Sequence, residues 1–183
     1  MRCLAVIFSL LWAGAAQAVK ICDELWFTGN LVFDHAGQRF QSPLGRAIFD
    51  NSDCLVGNAE PDPSEAEIVA LVRTMEAEWG CDVDTTRTSL RIRNIAQRMA
   101  MIDLPIADDF ESMCIGYRGP AIELHTGRHA SAPVSGVIQP SDDLTYVFIP
   151  MHGCTFFDLG RNGEMGWCAI PELSDLKCDS LSG

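Results

Sequence analysis

The chain has 183 residues, with 25 acidic against 13 basic and a formal net charge of -12 at pH 7. Such a surface repels phosphate backbones and anionic headgroups, which argues against nucleic acid and acidic membranes as partners. An apolar fraction of 48% still supports one sizeable core or two small ones.

The first eighteen residues read as a secretory signal: Arg2 near the start, an apolar run from Leu4 to Leu11, and Ala16-Gln17-Ala18 as the cleavage site. The run is too short to span a bilayer, and no other stretch comes near the length required. The expectation is an exported chain without a membrane span, periplasmic or extracellular, beginning near Val19. Cys3 sits at the start of the signal and not at its cleavage point, which argues against a lipoprotein. Seven further cysteines remain: Cys22, Cys54, Cys81, Cys114, Cys154, Cys168 and Cys178. In an oxidising compartment most should form disulfides. An odd number leaves at least one unpaired or bridged to another chain. No pair is spaced C-x-x-C, so a metal framework is the weaker reading. Connectivity is open from sequence; the adopted pairs are Cys22 with Cys54, Cys154 with Cys168, and Cys114 with Cys178, leaving Cys81 over.

From Cys22 to Cys54 the pattern predicts two short helices. Asp23 is placed to cap the first, in which Leu25, Val32 and Ala36 recur at helical spacing. Trp26, Asn30 and Phe33 form a second row beside them, so this helix is apolar over more than one stripe. Gly37 ends it, because glycine tolerates the left-handed backbone of a helix stop. Ser42-Pro43 opens the second helix, with Leu44, Ala47 and Ile48 inward and Asn51-Ser52 after its end.

These residues carry a resemblance. LWFTGNLVFDHAGQRF followed by a short helix ending in Phe49 resembles the YARHG domain of bacterial extracytoplasmic proteins. Leu25, Trp26, Phe27, Asn30, Phe33, Gly37 and Phe40 match its pattern. Gly29 stands where that family has arginine, and Asp34, His35 and Ala36 replace the Ala-Arg-His of its name motif. The departures fall on the charged positions. The whole chain is similar to uncharacterised secreted alphaproteobacterial proteins that often read Gly-Tyr-Cys-Phe where this one reads Gly37-Gln38-Arg39-Phe40. A family cysteine is therefore missing at position 39, which the resemblance offers as the cause of the odd count.

Beyond the linker LVGNAEPDP, Asp62-Pro63-Ser64-Glu65 has the form of a capping box with a first-position proline. Ile68, Leu71, Val72, Met75 and Trp79 then define an amphipathic helix, with Glu65, Glu67, Glu76 and Glu78 outward and Gly80 at its end. After a polar loop, Thr88 or Ser89 caps a fourth helix with Ile92, Ile95, Ala96 and Met99 on one face, stopping before Pro105. Ala107-Asp108-Asp109 reads as a surface turn. Residues 19–109 thus form a small disulfide-supported helical domain.

From residue 110 to 183 the pattern changes to short strands: 121–125, 134–138, 144–149, 154–159 and 165–170. The last two flank GRNG, whose Asn162-Gly163 is a hairpin signal that brings Cys154 near Cys168. Five strands at this spacing suggest a small barrel. Gly136-Val137-Ile138 and Gly166-Trp167 resemble bacterial SH3-like domains, which implies ligands among cell-wall peptides or proteins. The tail from Pro171 holds Cys178. The fold class expected is α+β, a helical domain followed by a five-stranded SH3-like barrel.

Candidate chemistry is sparse. His125 and His129 are four apart, but Gly127 puts them in a loop and not on a helix. His152 and Cys154 suggest a Cys–His dyad, which an oxidised Cys154 could not serve. Asp82, Asp84 and Thr86 alternate like calcium ligands without the glycine and terminal acid of such a loop. Asp34-His35 are adjacent and point to different helix faces. Asp108-Asp109 and Asp142-Asp143 suit turns. No P-loop, nucleophile elbow or dinucleotide fingerprint occurs. The expectation is a non-enzymatic protein with no cofactor and no metal. Its binding residues are an outward set of barrel aromatics among Tyr146, Phe148, Phe156 and Trp167. Its partner is a cell-envelope protein, peptide or glycan such as peptidoglycan. The alternatives are a periplasmic hydrolase or thiol enzyme, and a homodimer linked through the odd cysteine.

Overall fold

The computed structural model describes residues 10–52, 54, 59–161, 163–170 and 177–182. The start of the expected signal with Cys3, part of the linker, Asn162 of the hairpin and residues 171–176 of the tail lie outside this range. The chain divides into two compact units, Met1–Ile92 and Arg93–Gly183.

The first unit is helical. Helix α1 runs Leu10–His35 without a break. Asp23 therefore lies inside a helix and does not cap one. Its carboxylate is buried and takes the Arg87 guanidinium and the Arg91 N–H, at 2.8 Å for the latter. The end of α1 follows the expectation. Gly37 has φ 82, its N–H donates to Asp34 O at 2.8 Å, and Gln38 N donates to Phe33 O at 2.9 Å. This is the paired bond pattern that glycine permits at a helix end.

Helix α2, Pro43–Ile48, is capped by Ser42, whose Oγ accepts from Gly45 N at 3.1 Å. Phe49 follows it and stacks on Phe40 and Phe27, at centroid distances of 4.5 and 6.0 Å. Helix α3, Pro63–Trp79, buries Ile68, Val69, Val72 and Met75. It lies close against α1 at Gly29, where an added Cβ would come 3.1 Å from Val72 Cγ1. Glu65 is not on a purely solvated face, since its Oε1 meets His35 Nδ1 at 3.1 Å. Trp79, expected inward, is 37% exposed at the last turn of α3.

A disulfide joins Cys22 to Cys81, Cα to Cα 5.4 Å, and so ties α1 to the residue beyond the end of α3. Cys81 is thus paired and not left over, and the expected Cys22–Cys54 bond is replaced. Cys22 sits within a helix whose neighbour is α3, and Cys81 follows directly on that neighbour. Cys54 keeps its thiol, 3.2 Å from Gln38 O.

The second unit begins with a short helix α4, Ile95–Met99, followed by strands β1 Ala107–Tyr117, β2 Ile122–His125, β3 Val134–Ile138, β4 Leu144–Phe148, β5 Thr155–Asp158, β6 Met165–Cys168 and β7 Cys178–Ser182. They form one antiparallel sheet in the order β3-β2-β6-β5-β4-β1-β7. The expected five-stranded SH3-like barrel is replaced by seven strands in a sheet that is not closed. The five expected strands correspond to β2 to β6. The added β1 contains the segment expected as a turn: Asp108 to Glu111 are exposed in a bulge between Ala107 and Ser112. The other addition, β7, lies at the edge of the sheet beside β1 and is tethered by a disulfide from Cys178 to Cys114, the pair adopted from sequence.

Both faces of the sheet are covered. On one, Cys114, Tyr117, Leu124, Ile138, Leu144, Phe157, Leu159 and Cys168 form a single cluster drawn from strands across the sheet, which therefore curls about it. The other carries Phe148, Phe156 and Trp167. Over that face lies the segment from α4 to Ile106: Arg98 stands 5.5 Å above the Phe148 ring, and Trp167 Nε1 donates to Asp103 O at 2.8 Å. The fourth helix, expected in the helical domain, thus belongs to the second unit, where it shields an aromatic face.

Candidate functional site

The helical unit holds a groove between α1 and α3. One part, about 230 Å³, is lined by Trp26, Gly29, Asn30, Phe33, Val69, Val72, Arg73 and Glu76. Asn30 and Phe33 also line the adjoining hollow of about 410 Å³, together with Gln38, Arg39, Phe40 and Gln41. Asn30 and Phe33 thus border both hollows, the larger of which has a size in the range of small-molecule sites.

Each lining residue has a local reason for its place. Trp26, Asn30 and Phe33 occupy one row of α1, at i, i+4 and i+7, and all three are half-buried. Asn30 Nδ2 donates to Trp26 O at 2.7 Å, which fixes the amide and leaves Oδ1 as an acceptor. The absence of a side chain at Gly29 keeps α1 close to α3 while leaving the groove open. The turn at Gly37 carries the chain back so that Gln38, Arg39 and Gln41 border the groove. Phe40 is held there by Asn51, whose Oδ1 accepts from Phe40 N and whose Nδ2 donates to Phe40 O, both at 2.9 Å. Burial raises the pKa of Glu76, and the nearby Arg73 charge partly opposes that rise. Arg39 and Arg73 are exposed.

The residues expected to bind lie elsewhere and are not a groove. Phe156 and Trp167 are 0% exposed and Phe148 is buried. The ring pairs Phe148–Phe156 and Phe156–Trp167, at 4.9 and 5.3 Å, are edge-on core contacts. Tyr146 is half-buried and packs on Phe157, ring centroids 6.4 Å apart. Tyr146 packs against the cluster on one face, Phe156 and Trp167 share the other, and Phe148 packs on Phe156, so these rings make no open groove.

The same alternation separates Cys154 from Cys168. Thr155 is the residue opposite Cys168, so Cys154, one position earlier, points to the other side of the sheet. Their expected disulfide is absent and both keep thiols. Cys154 Sγ lies 3.6 Å from Arg128 O, and burial pushes its pKa up. Burial also pushes the Cys168 thiol up to about 12, with Cys154 adding to the rise. Neither has the thiolate character of a nucleophile. His152 is turned to Arg128, whose guanidinium donates to Nδ1 at 2.9 Å. Arg128 is held in turn by Asp103 and stands 5.7 Å from the Trp167 ring centroid.

The remaining candidates are locally engaged. His125 Nδ1 meets Ala132 O at 2.8 Å, while His129 lies exposed in the following loop. Asp84 Oδ1 accepts from Thr86 N and Oγ1 at 2.9 and 2.7 Å. Asp142 accepts from Gln139 N and Arg161, and Asp143 from Gly116 N. Among the described residues no group of three or more His, Cys, Asp or Glu could hold a metal ion, and no helix is long and apolar enough to cross a membrane.

Sequence reasoning found the row Trp26-Asn30-Phe33 but assigned it to packing. An asparagine set between two aromatics on one helical row is the signal that the row is half-exposed. Gln38, Arg39, Gln41, Arg73 and Glu76 carry no such signal.

A helical unit with an open groove, followed by a curled antiparallel sheet, defines a two-unit protein that begins with a YARHG domain; the model of that domain matches residues 10–77. A second model, described as a domain of unknown function (DUF4453), matches residues 80–183, and the chain belongs to this family. No curated protein and no solved structure gives a significant match to the chain.

Proposed function

We propose that the protein is an exported, non-enzymatic binding module of the cell envelope, and that its ligand lies in the groove of the YARHG unit. The supporting observation is the half-exposed pair Trp26 and Phe33 flanking Asn30. Half-exposed flat rings beside a fixed amide on a preformed surface are what a binding site needs. Export rests on the signal-like first eighteen residues, with the cut expected after Ala18. The likeness of Gly136-Val137-Ile138 and Gly166-Trp167 to bacterial SH3-like domains belongs to the same proposal and offers cell-wall peptides or proteins as ligands, while half-exposed rings add a glycan to the ligand class.

Retention on purified peptidoglycan tests the reading. Phe33→Ala should lose retention with its melting temperature kept, and equal recovery on cellulose would remove the idea. N-terminal sequencing of the protein from periplasmic extract should begin at Val19; an uncut chain in the cytosol overturns export.

A further inference from the structure

Side chains dominate the groove, because the backbone around it is already engaged. Gly37 and Gln38 spend their N–H groups on α1, and Phe40 spends both its N–H and its carbonyl on Asn51. An extended peptide that adds itself to a protein edge needs free backbone donors and acceptors. What the groove offers instead is two half-buried rings, the amides of Asn30, Gln38 and Gln41, and the ions Arg39, Arg73 and Glu76. Rings stack on the flat apolar faces of pyranoses, and amides donate to and accept from hydroxyls. The charge is the second clue. In a chain of net charge -12 this groove has two guanidiniums against one carboxylate. Guanidinium groups pair with carboxylates through parallel hydrogen bonds.

We infer that the α1–α3 groove takes a sugar chain bearing carboxylates, with Trp26 and Phe33 as stacking platforms and Arg39 and Arg73 as the carboxylate partners. This rests on the groove being the binding site. The Glu76 carboxyl is close enough to Arg73 to feel its charge, which tempers that guanidinium as a general anion trap.

Calorimetric titration of the purified full chain decides the matter with three probes of matched length. The first is a peptide-free peptidoglycan glycan strand, with a lactyl carboxylate on alternate sugars. The second is a neutral chito-oligosaccharide, and the third a polyglutamate peptide. The carboxylated strand should bind about a hundredfold tighter than the neutral one, about tenfold for each of two charge-assisted bonds. Arg73→Gln and Arg39→Gln should each cut that preference about tenfold, and Phe33→Ala should weaken both sugars alike. All three variants should melt as the parent does. Equal affinity for the neutral chain overturns the carboxylate assignment and leaves the groove standing. Binding of polyglutamate alone overturns the sugar. Sugar binding untouched by Phe33→Ala, or no binding of any probe, removes the groove itself.

Discussion

In the helical unit Trp26 and Phe33 remain half-exposed along a groove, whereas in the sheet unit Phe148, Phe156 and Trp167 are sealed between the strands and the segment from α4 to Ile106. Both units are rich in aromatics and each is stapled by one disulfide. The difference lies in what covers the ring-bearing face. Helix α3 packs against α1 at Gly29 and Val72, and the row of Trp26, Asn30 and Phe33 beside that contact is only half covered. The curled sheet has one face turned on itself and the other roofed. Exposure of an aromatic is thus decided by the neighbour and not by the strand or helix that carries it.

The strongest way to break this contrast is Trp167→Ala. If the ring is core, its loss should cost about 3–5 kcal/mol and unfold the second unit cooperatively in urea. A folded variant that merely lost ligand would reverse the roles of the two units. Next is Cys22→Ser with Cys81→Ser. The bond closes a separation of 59 residues, so its removal should cost about 4 kcal/mol by loop entropy. Helical content should melt first, with the sheet transition unmoved; simultaneous melting would show that the units are not separate.

Acid sharpens the contrast from the other side. Asp103 and Asp142 are each pushed up by burial, but hydrogen bonds from Arg128 in one case and from Arg161 and Gln139 N in the other outweigh this and hold both carboxyls low. A lowered folded-state pKa stabilises above the unfolded value and is lost as pH falls through the folded one. The sheet unit should therefore lose stability below the ordinary carboxylate range. Asp103→Asn and Asp142→Asn should flatten that slope in urea melts taken across acid pH. The smallest effect expected is kinetic. Cys54 is half-buried while Cys154 and Cys168 are buried. A thiol reagent should label Cys54 first and the other two only on unfolding. Any disulfide-linked dimer on a non-reducing gel should vanish with Cys54→Ser.

Much of this architecture was legible in the residues. Gly37 and the Ser42-Pro43 start mark helix ends through backbone chemistry that neighbours do not alter. The pattern of β2 to β6 reads clearly because those strands are apolar and bounded by turns. By contrast β1 carries Asp108, Asp109 and Glu111, and β7 has Leu181 as its sole large apolar residue after Cys178. Edge and bulged strands are held by ladder bonds and a tether, which leave little trace in hydropathy. Helix α1 overran its expected start because an aspartate can cap a helix or, as at Asp23, be paired with an arginine sixty-four positions away. The groove was half legible: periodicity located the row, but whether a partner helix covers a row is a tertiary matter.

Asn51 gives the site a chemical age. One primary amide clamps both polar groups of Phe40; the following Ser52 is small, but its N–H, the group that would expel ammonia, is tied to Asp50 Oδ1 at 2.9 Å, which makes that loss slow. Hydrolysis to aspartate would set an oxygen lone pair against the Phe40 carbonyl where a donor now stands. Old protein would then slacken at the rim of the groove while both disulfides and the sheet stayed intact, and Asn51→Asp would reproduce that worn state from the first day.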